Sequence, residues 1–176
     1  RKVEAALDLE RQVRAADPRV MQVESSRWGD VSSEMALASS LGVSATDRST
    51  ACYLSATAVA GEGPDSKIAS GYTVGRAPSE LVPSKAAGDA VSRAVRLLGA
   101  AQPRSAHLPI VFEPRVSAQL LSLLSSVLSG ERVLKGTSLF ADRMGETVAA
   151  ANVTLVDDPT NEAAWGASAF DDEGLA

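Results

Sequence analysis

One histidine, His107, and one cysteine, Cys52, are the only nitrogen and sulfur side chains in this sequence suited to gripping a zinc ion. A zinc hydrolase holds its metal with about three protein ligands and keeps one further position open for water. No pair of carboxylates stands at helical spacing with either residue to complete such a set. His107 lies beside a proline-bounded linker and reads as a surface or packing residue. Cys52 sits in a strand-like run among small neighbours and reads as a buried, inert thiol.

Other chemistries fare no better. A serine nucleophile needs a base, and His107 is the only imidazole. Ser129-Gly130 and Ser138 lack the Gly-x-Ser-x-Gly elbow, and Ser138 is linked to Lys135 by nearness in sequence alone. Gly61-Glu62-Gly63 runs into Pro64 rather than into a helix carrying Lys and Ser or Thr, so it is not a phosphate loop. Asp157-Asp158 and Asp171-Asp172-Glu173 offer hard oxygens to a divalent cation. Adjacent side chains in extended chain point opposite ways, and Asp favours turns and caps. Both clusters therefore read as turns.

Composition narrows the field further. The net charge is −5 and the arginines are spread singly, so the basic surface that a nucleic acid requires is missing. A single cysteine forbids an internal disulfide, which agrees with a cytoplasmic protein. The most apolar stretch, Val116 to Leu128, is broken by serines and too short to span a bilayer. Neither nucleic acid nor membrane is an expected partner. Aromatics make up only 4% of the residues, so the core must be assembled from Ala, Val and Leu.

The elements follow from periodicity. Lys2 to Ala16 places Val3, Ala6, Leu7, Leu9 and Val13 along one helical face, and Asp17-Pro18 ends it. From Arg19 to Val74 short extended runs predict an antiparallel meander with one solvated face. Turns are expected at Trp28-Gly29-Asp30, at Leu41-Gly42-Val43 and at Gly61 to Asp65, and a strand at Ala51 to Ala60. Leu81-Val82-Pro83-Ser84 is the expected boundary, dividing the chain into 1–82 and 83–176. Ser84 should cap a helix lined by Ala87, Ala90, Val91, Ala94, Val95 and Leu98, with Gly99 as its stop. Leu108 to Phe112 reads as a short buried strand and Pro114 as a helix start, with Gly130 as its end. Val153 to Val156 reads as another strand. The fold class is α+β: an N-terminal helix and antiparallel meander, then helices packed around short strands. Arg1 enters a helix directly and the chain stops without a closing element, so it reads as an interior piece of a longer protein.

From Leu108 the order of segments is distinctive. It runs Leu108-Pro109-Ile110-Val111-Phe112-Glu113-Pro114, a leucine-rich helix, Lys135-Gly136-Thr137-Ser138, Arg143-Met144-Gly145-Glu146, Val153 to Pro159, and Phe170-Asp171-Asp172-Glu173-Gly174. This order resembles the TldD/PmbA family, also labelled modulators of DNA gyrase, and the upstream meander fits the same family. In the TldD branch the helix matching Val116 to Leu128 carries His-Glu-x-x-x-His, which binds zinc and supplies the general base. Here that segment reads Ser122-Leu123-Leu124-Ser125-Ser126-Val127, with neither histidine nor glutamate.

The resemblance therefore implies a PmbA (TldE)-like chain with no catalytic and no metal-binding residue of its own. Zinc is expected in a TldD-like partner subunit, and an unfolded peptide is the expected substrate. Lys135, Gly136, Thr137 and Ser138, with Asp171, Asp172, Glu173 and Gly174, are the residues implied for the peptide cleft or subunit contact. The alternative is a stand-alone peptide-binding or scaffold protein without protease activity.

Overall fold

The computed structural model describes residues 1–159, 161, 164–165, 167–168 and 170–171. They divide into two compact units, one of residues 1–102 with the described residues from 159 onward and one of residues 103–158.

In the first unit, α1 (Lys2–Ala16) leads into β1 (Val20–Ala38), β2 (Ser44–Ala60) and β3 (Lys67–Gly75), and α2 (Pro83–Arg96) follows. The strands form one antiparallel sheet in the order β1-β2-β3. This is the expected helix and meander, and the fold class is α+β. β2 alternates strictly: Cys52, Leu54, Ala56, Ala58 and Ala60 are buried while Tyr53, Ser55, Thr57 and Val59 face the other way. The buried set meets Leu9 and Val13 of α1, Val23 of β1, and Ala86, Ala87, Ala90, Val91 and Ala94 of α2. Small side chains let α2 lie close on the sheet. At Gly71 a Cβ would collide with the Ala86 carbonyl of α2, so only glycine allows the crossing.

The strands are longer than the sequence suggests. Trp28-Gly29-Asp30, expected to turn, lies mid-strand in β1, with Gly29 opposite Tyr53. The Tyr53 ring covers Gly29, where a Cβ would strike it, so an aromatic neighbour fills the place of the missing side chain. The turn comes at Ser39 to Val43, where Gly42 takes φ +90° and Ser39 N–H donates to the Val43 carbonyl at 3.0 Å.

The boundary expected at Val82/Pro83 falls inside this unit, because α2 packs against β2 and β3; the division comes at 102/103. Val82, not Ser84, is the N-cap of α2, and it makes no side-chain cap bond. Pro83 at the first helical position supplies a preset φ and lacks an N–H that would need satisfying. The helix ends at Arg96, before Gly99, which adopts φ +67°. The Asp65 carboxylate accepts from Gly99 N–H at 3.1 Å and pairs with Lys67 at 3.1 Å, tying the loop before β3 to the end of α2.

The second unit carries α3 (Pro114–Leu128) and α4 (Gly130–Leu134). Pro114 opens α3 as expected. Gly130 does not end a helix but starts α4, whose N-cap Ser129 accepts from Arg132 N–H at 3.4 Å. Leu108 to Phe112 and Val153 to Val156, expected as strands, pair with no strand among the described residues. Leu108, Ile110 and Val111 are 72%, 71% and 96% exposed, so the expected burial is absent as well. A strand needs a neighbour to receive its N–H and C=O groups, and this unit supplies none.

Candidate functional site

Lys135-Gly136-Thr137-Ser138 closes α4. Lys135 is the C-cap and its ammonium pairs with Glu131 one turn back. Gly136 takes φ +65°; its N–H donates to the Val133 carbonyl at 3.0 Å, and Thr137 N–H donates to the Arg132 carbonyl at 2.9 Å. This pair of bonds is the Schellman helix stop, and it calls for a glycine in the left-handed region. The Thr137 hydroxyl donates to the Arg132 carbonyl at 3.3 Å, and the Ser138 hydroxyl donates to the Val127 carbonyl at 2.7 Å. The hydroxyls thus hold the turn, while the Lys135 side chain, two-thirds exposed, reaches back to Glu131 at the surface.

Asp171 belongs to the other compact unit and is exposed, next to buried Phe170. Asp172, Glu173 and Gly174 lie outside the described residues. Lys135 to Ser138 and Asp171 therefore fall in different units.

Neither lone metal-binding side chain gains a partner set. His107 is exposed in chain without regular structure. Cys52 is buried, and its thiol donates to the Gly75 carbonyl at 3.3 Å. Burial raises its pKa, and the negative charges of Glu80 and Asp30 add to the rise, so the reactive thiolate is disfavoured. Among the described residues no three His, Cys, Asp or Glu side chains form a group able to hold a metal. Ser122 to Val127 lies within α3, so the segment matched to the zinc motif is helical here. Its hydroxyls and leucines do not fit a zinc ion, because neither is a neutral imidazole or a carboxylate.

The meander has the one solvated face expected of it, but the residues that form that face were not picked out from the sequence. Opposite the helices, Ser25, Thr57 and Ser70 form a hydroxyl row across the three strands, with bonds of 3.3 and 2.9 Å. Tyr53, Tyr72, Val74 and Ile68 flank it, each between 44% and 57% exposed. Strand alternation would have exposed this face only once the register was known.

Family models match both parts of the sequence. Residues 1–98 match the PmbA/TldA metallopeptidase central domain, and residues 105–176 match the C-terminal domain of the same family. The chain belongs to the PmbA/TldD metallopeptidase family. Metalloprotease PmbA of Escherichia coli O157:H7 is 24% identical over 98% of this chain and 39% of its own length. A metalloprotease of Methanothermobacter thermautotrophicus is 33% identical over 47% of this chain and 18% of its own length.

Solved structures agree on the fold. A Bacteroides thetaiotaomicron protein provisionally named a modulator of DNA gyrase superposes with a TM-score of 0.91 at 30% identity. One from Thermotoga maritima with a similar provisional name gives 0.89 at 25%. Each comparison covers 99% of this chain and 40% of the relative. This PmbA/TldD chain thus spans about two-fifths of the length of those relatives. No helix among its described residues is long and apolar enough to cross a membrane.

Proposed function

We propose that this chain is part of a non-catalytic subunit of a TldD/TldE-type zinc metalloprotease complex that binds and proteolyses unfolded peptides in the cytoplasm. One observation carries the reading. α3, the helix matched to the zinc motif of the TldD branch, offers serine hydroxyls and leucine side chains and no histidine or glutamate. Without imidazole there is no ligand set, and without a carboxylate no base activates the water.

The zinc then resides in a TldD-like partner subunit. The non-catalytic subunit holds the substrate in extended form by adding it to a sheet edge, where main-chain hydrogen bonds supply affinity without demanding a sequence. Lys135 to Ser138 and Asp171 to Gly174 shape the peptide cleft or the contact with the partner. The gyrase wording in the relatives' names does not extend to DNA contact here, since a net charge of −5 with scattered arginines opposes phosphate binding.

The test is to purify the full-length protein alone and together with a zinc-bearing relative from the same cell. The expected result is a stable heterodimer that cleaves an unfolded peptide, with no cleavage by this protein alone. Cleavage by the lone subunit would rule the proposal out. A monomer or homodimer that binds peptide but never joins the zinc subunit would favour the stand-alone scaffold.

A further inference from the structure

β1 and β2 pair along their whole length, but β3 covers β2 only from Cys52 to Ala60. Beyond that point Ser44 to Ala51 is paired with β1 alone. At roughly 3.3 Å per residue these eight residues leave a lane of about 26 Å beside β2. The lane has a defined inner end. β3 stops at Gly75, and the Thr50 hydroxyl donates to the Arg76 carbonyl at 2.9 Å as the chain turns away. On this side, Ser44 to Ala51 make no main-chain bond to any described residue. A two-stranded ribbon is marginal in water and gains most from a third strand.

The side chains along the lane differ between its two faces. On one, Glu34 and Arg48 form a cross-strand pair at 2.9 Å beside Ser32, Thr46 and Thr50. On the other, Val31, Met35 and Leu37 stand opposite Ala51, Asp47 and Ala45. Asp47 is thus a lone carboxylate on an otherwise apolar or small-residue face.

That carboxylate decides what the edge accepts. In an antiparallel two-fold pair, residues face their own copies around the axis. The two longest registers of Ser44–Ala51 with a second copy would set Asp47 opposite Asp47 or Arg48 opposite Arg48, and like charges directly opposite are destabilising. An unlike strand meets no such conflict, and a cation opposite Asp47 gains from it.

We infer that the β2 edge from Ser44 to Ala51 receives an extended peptide antiparallel to β2, with a lysine or arginine opposite Asp47 and small or apolar residues two positions to either side. This rests on the peptide-binding reading above and gives it a place and a preference.

The test uses the full-length protein and a fluorescein-labelled ten-residue peptide alternating Thr with Val, its central Val replaced by Lys. A twin peptide carries Glu there. The Lys peptide is expected to bind about two- to five-fold more tightly than the Glu peptide. Asp47→Asn removes the preference and Asp47→Lys inverts it; both changes fall on the solvent-facing ribbon, away from the core. Bound peptide slows amide hydrogen exchange within Ser44–Ala51. Binding with no Lys/Glu preference, or protection only elsewhere, overturns the edge assignment and leaves peptide binding standing. Protection that rises with protein concentration in the absence of peptide assigns the edge to a second copy and likewise overturns it. Binding of neither peptide removes the peptide-binding reading and this inference together.

Discussion

The two compact units use apolar residues in opposite ways. In the first, Leu9, Val13 and Leu54 are fully buried, and alternate residues of β2 feed the same core. In the second, no residue from 103 to 158 is buried, although α3 carries leucine or valine at seven of its fifteen positions. Leu120, Leu121, Leu123 and Leu128 are each at least 42% exposed. Hydrophobic content alone does not make a core. The first unit has strands that return to face its helices, and the second has none. A large exposed apolar patch marks a surface made for contact.

Removing side chains tests this contrast most strongly. Leu54→Ala should destabilise the 176-residue chain by about 2–5 kcal/mol, because it leaves a cavity in a packed core. Leu123→Ala, at a position 64% exposed, should change stability by no more than about 0.5 kcal/mol. Urea unfolding of both variants checks the pair. Equal losses would dissolve the distinction between the units.

A smaller effect is expected in the second unit at Gly136. Gly136→Ala places a Cβ at φ +65° and should weaken the end of α4 by roughly 1 kcal/mol. Faster hydrogen exchange at Lys135 to Ser138, with no change in the β2 amides, is the expected signature.

The smallest effect is a pH dependence confined to the first unit. Arg19's side-chain hydrogen bond, with its backbone N–H, holds the Asp17 carboxyl from its ordinary 3.8 down to about 2. A depressed carboxylate pKa gives stability that is present above the unfolded value and lost as pH falls through the folded one. Thermal unfolding of the first unit should therefore ease as pH drops from about 4 towards 2. In Asp17→Asn that part of the slope disappears; an unchanged slope would assign the acid sensitivity to other groups.

Much of the first unit was legible because period and burial coincide there. Leu9 and Val13 of α1, the Ala-rich α2 face and the turn at Gly42 all read directly from residue spacing, whereas Val3 and Leu7, expected on the same face of α1, are 72% and 49% exposed. Gly29 misled because glycine signals a turn unless an aromatic neighbour on the next strand covers it, and Tyr53 does so from 24 residues away. Ser84 misled because Pro83 can start a helix without a side-chain cap. In the second unit Leu108 to Phe112 has a strand's composition, but a strand is a pairing and composition names no partner. Lys135 to Ser138 was picked out by its resemblance to a family, and its local geometry is that of a helix stop. The β2 edge, in contrast, appears only when the strand lengths are known.

Zinc content per subunit addresses the central claim most directly. The full-length protein, purified alone and then with its zinc-bearing relative, would be assayed by elemental analysis. The predicted result is no stoichiometric zinc on the lone protein and one ion per heterodimer, unchanged when Ser122, Ser125 and Ser126 are all replaced by Ala. One zinc per lone subunit, lost on that replacement, would contradict it.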